Sequence, residues 1–134
     1  VPDEGSLPRA DPRPPALATP AAAPPILVVV VDTEEEFNWD APSFDRSATG
    51  VDHMREIGRF QEICDGFGVR PCYAIDYPIA TQEISLAALA PLLAEHRAVV
   101  GAHLHPWVNP PFDEALTRPN SYPGNLPPAL ERAK

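Results

Sequence analysis

Ile26-Leu27-Val28-Val29-Val30-Val31, running straight into Asp32-Thr33-Glu34-Glu35-Glu36, decides the fold class. The apolar run is too short for a helix of ordinary length, and its β-branched valines favour extended backbone. It does not alternate with polar residues, as a strand with one wet face would. It therefore reads as a strand covered on both faces, the pattern of a parallel sheet. Parallel neighbours need crossover connections, usually helical, and the next segment supplies one. Apolar residues recur at helical spacing at Val51, Met54, Ile57, Phe60, Ile63 and Phe67, with Arg55, Glu56, Arg59 and Glu62 on the wet face and Gly66 and Gly68 as the stop.

Val69 to Ile75 reads as a second strand, with Pro71 tolerable only near its start. Thr81 or Ser85 can cap a second helix carrying Leu86, Leu89, Ala90 and Leu93. Pro91 inside it predicts a kink, or two short helices with the proline in the first turn of the second. Val99 to His105 is the third strand. Strand and helix thus alternate in the order of right-handed parallel crossovers, so the class is α/β, with three parallel strands and two helices.

Outside this frame, residues 1–25 are mostly Pro, Ala and small polar residues with nothing to bury, and are expected to be a disordered tail ahead of a domain at 26–134. Pro106 to Pro128 reads as proline-rich loop, and Pro127 to Lys134 as the start of a helix. With 19 prolines in 134 residues, the packed part is expected to be about 80 to 110 residues. A net charge of -9 argues against a nucleic-acid partner, which would need clustered Lys and Arg. No apolar stretch reaches the roughly 18 to 20 residues of a membrane span, and no secretory leader pattern is present, so a cytoplasmic location is expected. Cys64 and Cys72 read as two buried thiols of a reducing compartment.

The chemistry gathers at the carboxyl ends of the strands, where parallel α/β folds bind their ligands. His103 and His105 are two apart, so on extended backbone both rings point the same way and can converge on one ion. Asp32 and Glu34 share a face by the same alternation. One carboxylate can then hold a divalent metal with the histidines, while the other stays free as a general base. That inventory points to hydrolysis of an amide or ester. Glu35 and Glu36 read as a solvated acidic loop, and His53 and His96 as ordinary helix residues. Asp76, after the second strand, points toward the same end as a possible support. Trp107 and Tyr122 either stack on a sugar ring or anchor the loop, and anchoring is the preferred reading.

Taken in order, Val31-Asp32-Thr33-Glu34-Glu35-Glu36-Phe37, Gly101-Ala102-His103-Leu104-His105-Pro106-Trp107 and Asn120-Ser121-Tyr122-Pro123-Gly124-Asn125 resemble the polysaccharide deacetylases of carbohydrate esterase family 4, in the WalW-like branch of the NodB-homology domain. The resemblance covers residues 26–134. It implies a distorted (β/α) barrel and a divalent metal, often zinc, held by one acid and two histidines, with removal of N- or O-acyl groups from a carbohydrate. The family's base Asp is carried onto Asp32. Its metal-binding acid falls on Thr33 without a gap, or on Glu34 if one residue intervenes, and Glu34 is preferred because Thr is a poor ligand. The family usually spaces its histidines four apart, so His103 matches and His105 departs from the pattern.

The family's later motifs would follow Lys134, and three strands cannot close a barrel. The expectation is therefore the amino-terminal part of a polysaccharide deacetylase-like domain, a partial barrel with unpaired sheet edges open to self-association. Two other readings stay open from the residues. One is an amidohydrolase-like C–N hydrolase, which also uses paired histidines at a barrel strand end. The other is a non-catalytic module whose site is incomplete.

Overall fold

The computed structural model of the chain describes residues 24–41 and 43–134, so the tail expected over residues 1–25 lies, through residue 23, outside them. Among the described residues three strands, β1 (Val30–Thr33), β2 (Cys72–Ile75) and β3 (Val99–Ala102), form one open sheet in the order β1-β2-β3. Both pairings are parallel, as expected. The register sets Val30 beside Cys72 and Cys72 beside Val99, and ends with Thr33, Ile75 and Ala102 abreast. Glu34, Asp76 and His103 therefore leave the sheet at one level. Two more ladder bonds carry this alignment past the strand ends, from Asp76 N to Thr33 O at 3.3 Å and from His103 N to Ile75 O at 2.8 Å.

The expected first strand is shorter at its start. Pairing reaches back only to Val29, whose carbonyl accepts from Cys72 N at 2.9 Å. Ile26, Leu27 and Val28 are 87%, 76% and 70% exposed, and Val30 is 58% exposed. β2 begins only at Cys72: Pro71 turns its backbone toward β3, accepting from Val99 N at 2.9 Å, and Gly68 at φ 65 turns the chain before it, so Ile26 to Val28 face no partner strand among the described residues. The run is accordingly not covered on both faces among those residues, which form an open sheet rather than a closed barrel.

The described residues also form four helices: α1 (Ile57–Gly66), α2 (Tyr77–Thr81), α3 (Glu83–Ala94) and α4 (Pro128–Ala133). A 3₁₀ turn over Asp52–Glu56 leads into α1. Gly66 and Gly68 stop the helix as predicted, with Gly68 N donating to Asp65 O at 3.0 Å. The buried stripe, however, rotates. Val51, Met54, Gln61 and Cys64 point inward, while Ile63 and Phe67, expected in the core, are 61% and 82% exposed. The break expected at Pro91 falls elsewhere. Pro91 lies inside α3, and the chain breaks at Gln82, held extended at φ -96, ψ 137 with its amide donating to Thr49 O at 2.6 Å. That break makes two helices between β2 and β3, one of the two expected outcomes, but divides them at Gln82 rather than just ahead of Pro91.

The core packs the 3₁₀ turn, α2 and α3 onto β2 through Val51, Met54, Tyr73, Ile79, Leu89, Leu92 and Ala98, with Ile57 and Phe60 of α1 partly buried against it. Tyr73 is fully buried, and its hydroxyl donates to Gln61 Oε1 at 2.9 Å. Gln61 in turn donates to Asp65 Oδ1 at 2.7 Å and to Arg97 O at 3.2 Å. This network ties α1 to the loop entering β3. Tyr73→Phe removes its hydroxyl and leaves a buried amide oxygen without that donor. The expected cost is about 1–3 kcal/mol, read as a lower urea midpoint with an unchanged slope.

Candidate metal centre

At the carboxyl end of the sheet, the segment after β1 and the segment after β3 face each other. His103 Nε2 and His105 Nε2 stand 2.9 Å apart, and Glu34 Oε2 lies 3.2 Å from the first and 3.3 Å from the second. These three atoms form a small triangle of donors. A four-coordinate zinc with donors at about 2.0–2.1 Å has donor–donor edges of about 3.3 Å, so the triangle has the size of one face of such a site. Glu34, His103 and His105 are thus a group that fits a metal ion. Alternation selected the histidine pair and offered Asp32 or Glu34 as the acid, with Glu34 preferred through the resemblance; β3 ends at Ala102 and the histidines lie just past it. Thr33 stands apart from the group: its side chain is buried, donates to Val31 O at 3.0 Å and does not line the cavity that Asp32 and Glu34 line.

Asp32 stands beside the triangle, with Oδ1 3.7 Å from His103 Nδ1 and its side chain 67% exposed. That distance is too long for a hydrogen bond, which leaves its oxygens available to water. Asp32, Glu34, His103 and His105 all line one cavity of about 510 Å³. Aromatic residues wall it. Phe37 stacks on Phe44 with ring centres 5.4 Å apart, and both lean on Trp107 at 5.0 and 4.8 Å. Trp39 and Tyr122 stand at the exposed rim. Trp107 is buried and anchors the loop, as preferred. Tyr122 is the correction, being an exposed residue of the cavity rim rather than an anchor.

Glu35 corrects the solvated-loop reading outright. It is buried, its Oε2 accepts from His105 Nδ1 at 2.8 Å and its Oε1 accepts from Trp107 Nε1 at 3.0 Å. Asp76, also buried, accepts from Glu35 N at 2.8 Å through Oδ2 and from Ile79 N at 2.9 Å through Oδ1, so it caps α2 as well as supporting the loop. A signal for Glu35 exists in the sequence: it is two residues past Thr33, on the inward face. Glu36 is exposed as read, beside His53 at 3.4 Å on the surface. Neither His53 nor His96 joins the centre.

The buried groups disturb each other's protonation. Burial pushes the Asp76 carboxyl up to about 7, helped by the neighbouring Glu35 carboxylate. Burial opposes ionisation of Glu35 too, but its bonds with His105 and Asp76 outweigh this and hold it below the usual carboxylate range. His105 goes up: burial works against its charged form, and Glu35 more than offsets that. Asp76 and His105 therefore bind protons more tightly folded than unfolded. Their contribution to stability is complete at low pH and is lost as pH rises, for Asp76 between about 4 and 7 and for His105 above about 6.5. Glu35 acts oppositely, with its loss confined to acid below the ordinary carboxylate range. The metal-free chain is expected to melt at progressively lower temperature as pH rises from about 5 through neutrality, with Asp76→Asn flattening the part of that slope below about 7.

Comparison with family models, with curated proteins and with solved structures returns no match. No helix among the described residues is long and apolar enough to cross a membrane.

Proposed function

We propose that this chain carries the metal centre of a hydrolase that removes acyl groups from a carbohydrate, with zinc held by Glu34, His103 and His105 and with Asp32 as general base. The observation that carries the reading is the meeting of Glu34 Oε2, His103 Nε2 and His105 Nε2 within 2.9–3.3 Å of one another. The resemblance of the same segments to polysaccharide deacetylases gives the substrate class. A divalent ion supplies Lewis acidity toward a carbonyl and makes water more acidic.

The chain's own groups account for the rest. Asp32, exposed beside the triangle, takes a proton from an attacking water. The aromatic rim of Trp39 and Tyr122 offers apolar faces to a sugar ring. The wall of half-buried Phe37 and Phe44 and buried Trp107 limits water around the donors. Two unbridged cysteines, Cys64 and Cys72, are consistent with the cytoplasmic setting that belongs to this reading.

The test is release of acetate from an N-acetylated sugar oligomer by the zinc-loaded chain. Acetate production that stops on chelation and returns with zinc is the expected result. Stoichiometric zinc without acetate would reduce the proposal to a metal-binding module.

A further inference from the structure

Of the buried side chains around the centre, Glu35 has the most telling arrangement. We propose that Glu35 is the positioning residue of the centre, fixing the His105 ring so that Nε2 presents its lone pair to the metal; this role rests on the metal-binding reading of Glu34, His103 and His105.

The carboxylate is fully buried and uses both oxygens, one on His105 Nδ1 at 2.8 Å and one on Trp107 Nε1 at 3.0 Å. A proton on Nδ1 leaves Nε2 of a neutral imidazole unprotonated, the form that binds metal. Trp107 adds a second constraint, stacking on the His105 ring at 4.3 Å and 20° while its own N–H holds Glu35. Glu35, Trp107 and His105 thus close a ring of contacts that leaves the imidazole little freedom to rotate. Asp76 holds the Glu35 backbone from behind at 2.8 Å.

Glu35, Asp76 and His105 are themselves close enough to resemble a second cation site. Their bonding argues otherwise. Both Asp76 oxygens accept backbone N–H groups, and both Glu35 oxygens accept side-chain N–H groups. A cation bound there through His105 Nδ1 would have to displace the proton that this nitrogen donates to Glu35. His103 has no equivalent brace among the described residues, since its Nδ1 faces Asp32 at 3.7 Å. One ligand is therefore locked and the other adjustable.

Glu35→Gln keeps the shape but carries one acceptor and one donor, so it cannot satisfy the N–H groups of both His105 and Trp107. Zinc affinity is expected to fall about 10- to 100-fold. The double variant Glu35→Gln/Trp107→Phe removes the conflicting indole donor, lets the amide oxygen accept from His105, and is expected to recover most of that loss. A purely structural role predicts the reverse, with the double variant weaker than either single one. Nitrogen-15 NMR of the metal-free chain at alkaline pH separates this idea from the metal reading. The Nδ1–H tautomer of His105 is expected in the wild type and a mixture in Glu35→Gln. An Nε2–H tautomer in the wild type, or zinc affinity unchanged in Glu35→Gln, would overturn the role of Glu35. Absence of zinc binding by a wild type that shows the Nδ1–H tautomer would overturn only the metal centre.

Discussion

His105→Ala is expected to weaken zinc binding by at least about a thousandfold, some 4 kcal/mol, and to destabilise the metal-free protein at the same time. The two effects have separate causes. Ligation is lost because one corner of the Glu34–His103–His105 triangle disappears and the remaining two donors make a weak site. Stability is lost because Glu35, fully buried, keeps only the Trp107 N–H at 3.0 Å on its side chain after its bond at 2.8 Å to His105 Nδ1 is removed. Leaving a buried carboxylate short of a donor costs about 1–3 kcal/mol. His103→Ala provides the contrast. Its ring is 27% exposed, and its carboxylate neighbour besides Glu34 is the exposed Asp32, so it should lose zinc to a similar degree with little change in melting. Calorimetric titration and thermal unfolding of the two variants check both halves.

Asp32→Asn is expected to lower acetate release by about 10²–10⁴-fold while zinc affinity stays within about threefold. The asymmetry follows from position. Asp32 lies next to the donor triangle but outside it, at 3.7 Å from His103 Nδ1, and is 67% exposed. The amide retains size and polarity but cannot take a proton from water. A variant that lost zinc in proportion to its rate would make Asp32 a ligand or a scaffold residue instead. Unchanged acetate release would remove it from the proton transfer.

The strand and helix order was legible because each element carries its own short-range signal: the apolar run before Asp32, the glycines after α1, and Val99-Val100 before Gly101. Parallel pairing then aligned the strand ends, which is why alternation alone brought Asp32, Glu34, His103 and His105 together. The errors share a cause, being decided by distant partners. Ile26 to Val28 have the composition of a strand, but the turn at Gly68 ahead of β2 leaves them without a neighbour among the described residues. Ile63 fits the helical stripe, yet the stripe turns toward Gln61 and Cys64 because Gln61 has Tyr73 and Arg97 O to bind. Glu35 looks like one of three equivalent acids, and only the return of the chain through His105 and Trp107 makes it a buried acceptor.

Zinc titration of the metal-stripped chain, followed by X-ray absorption at the zinc edge, tests the centre most directly. The expected result is one ion per chain with a shell of nitrogen and oxygen at about 2.0–2.1 Å that includes scattering from two imidazoles. No stoichiometric binding, or a sulfur shell at about 2.3 Å from the cysteines, would contradict it.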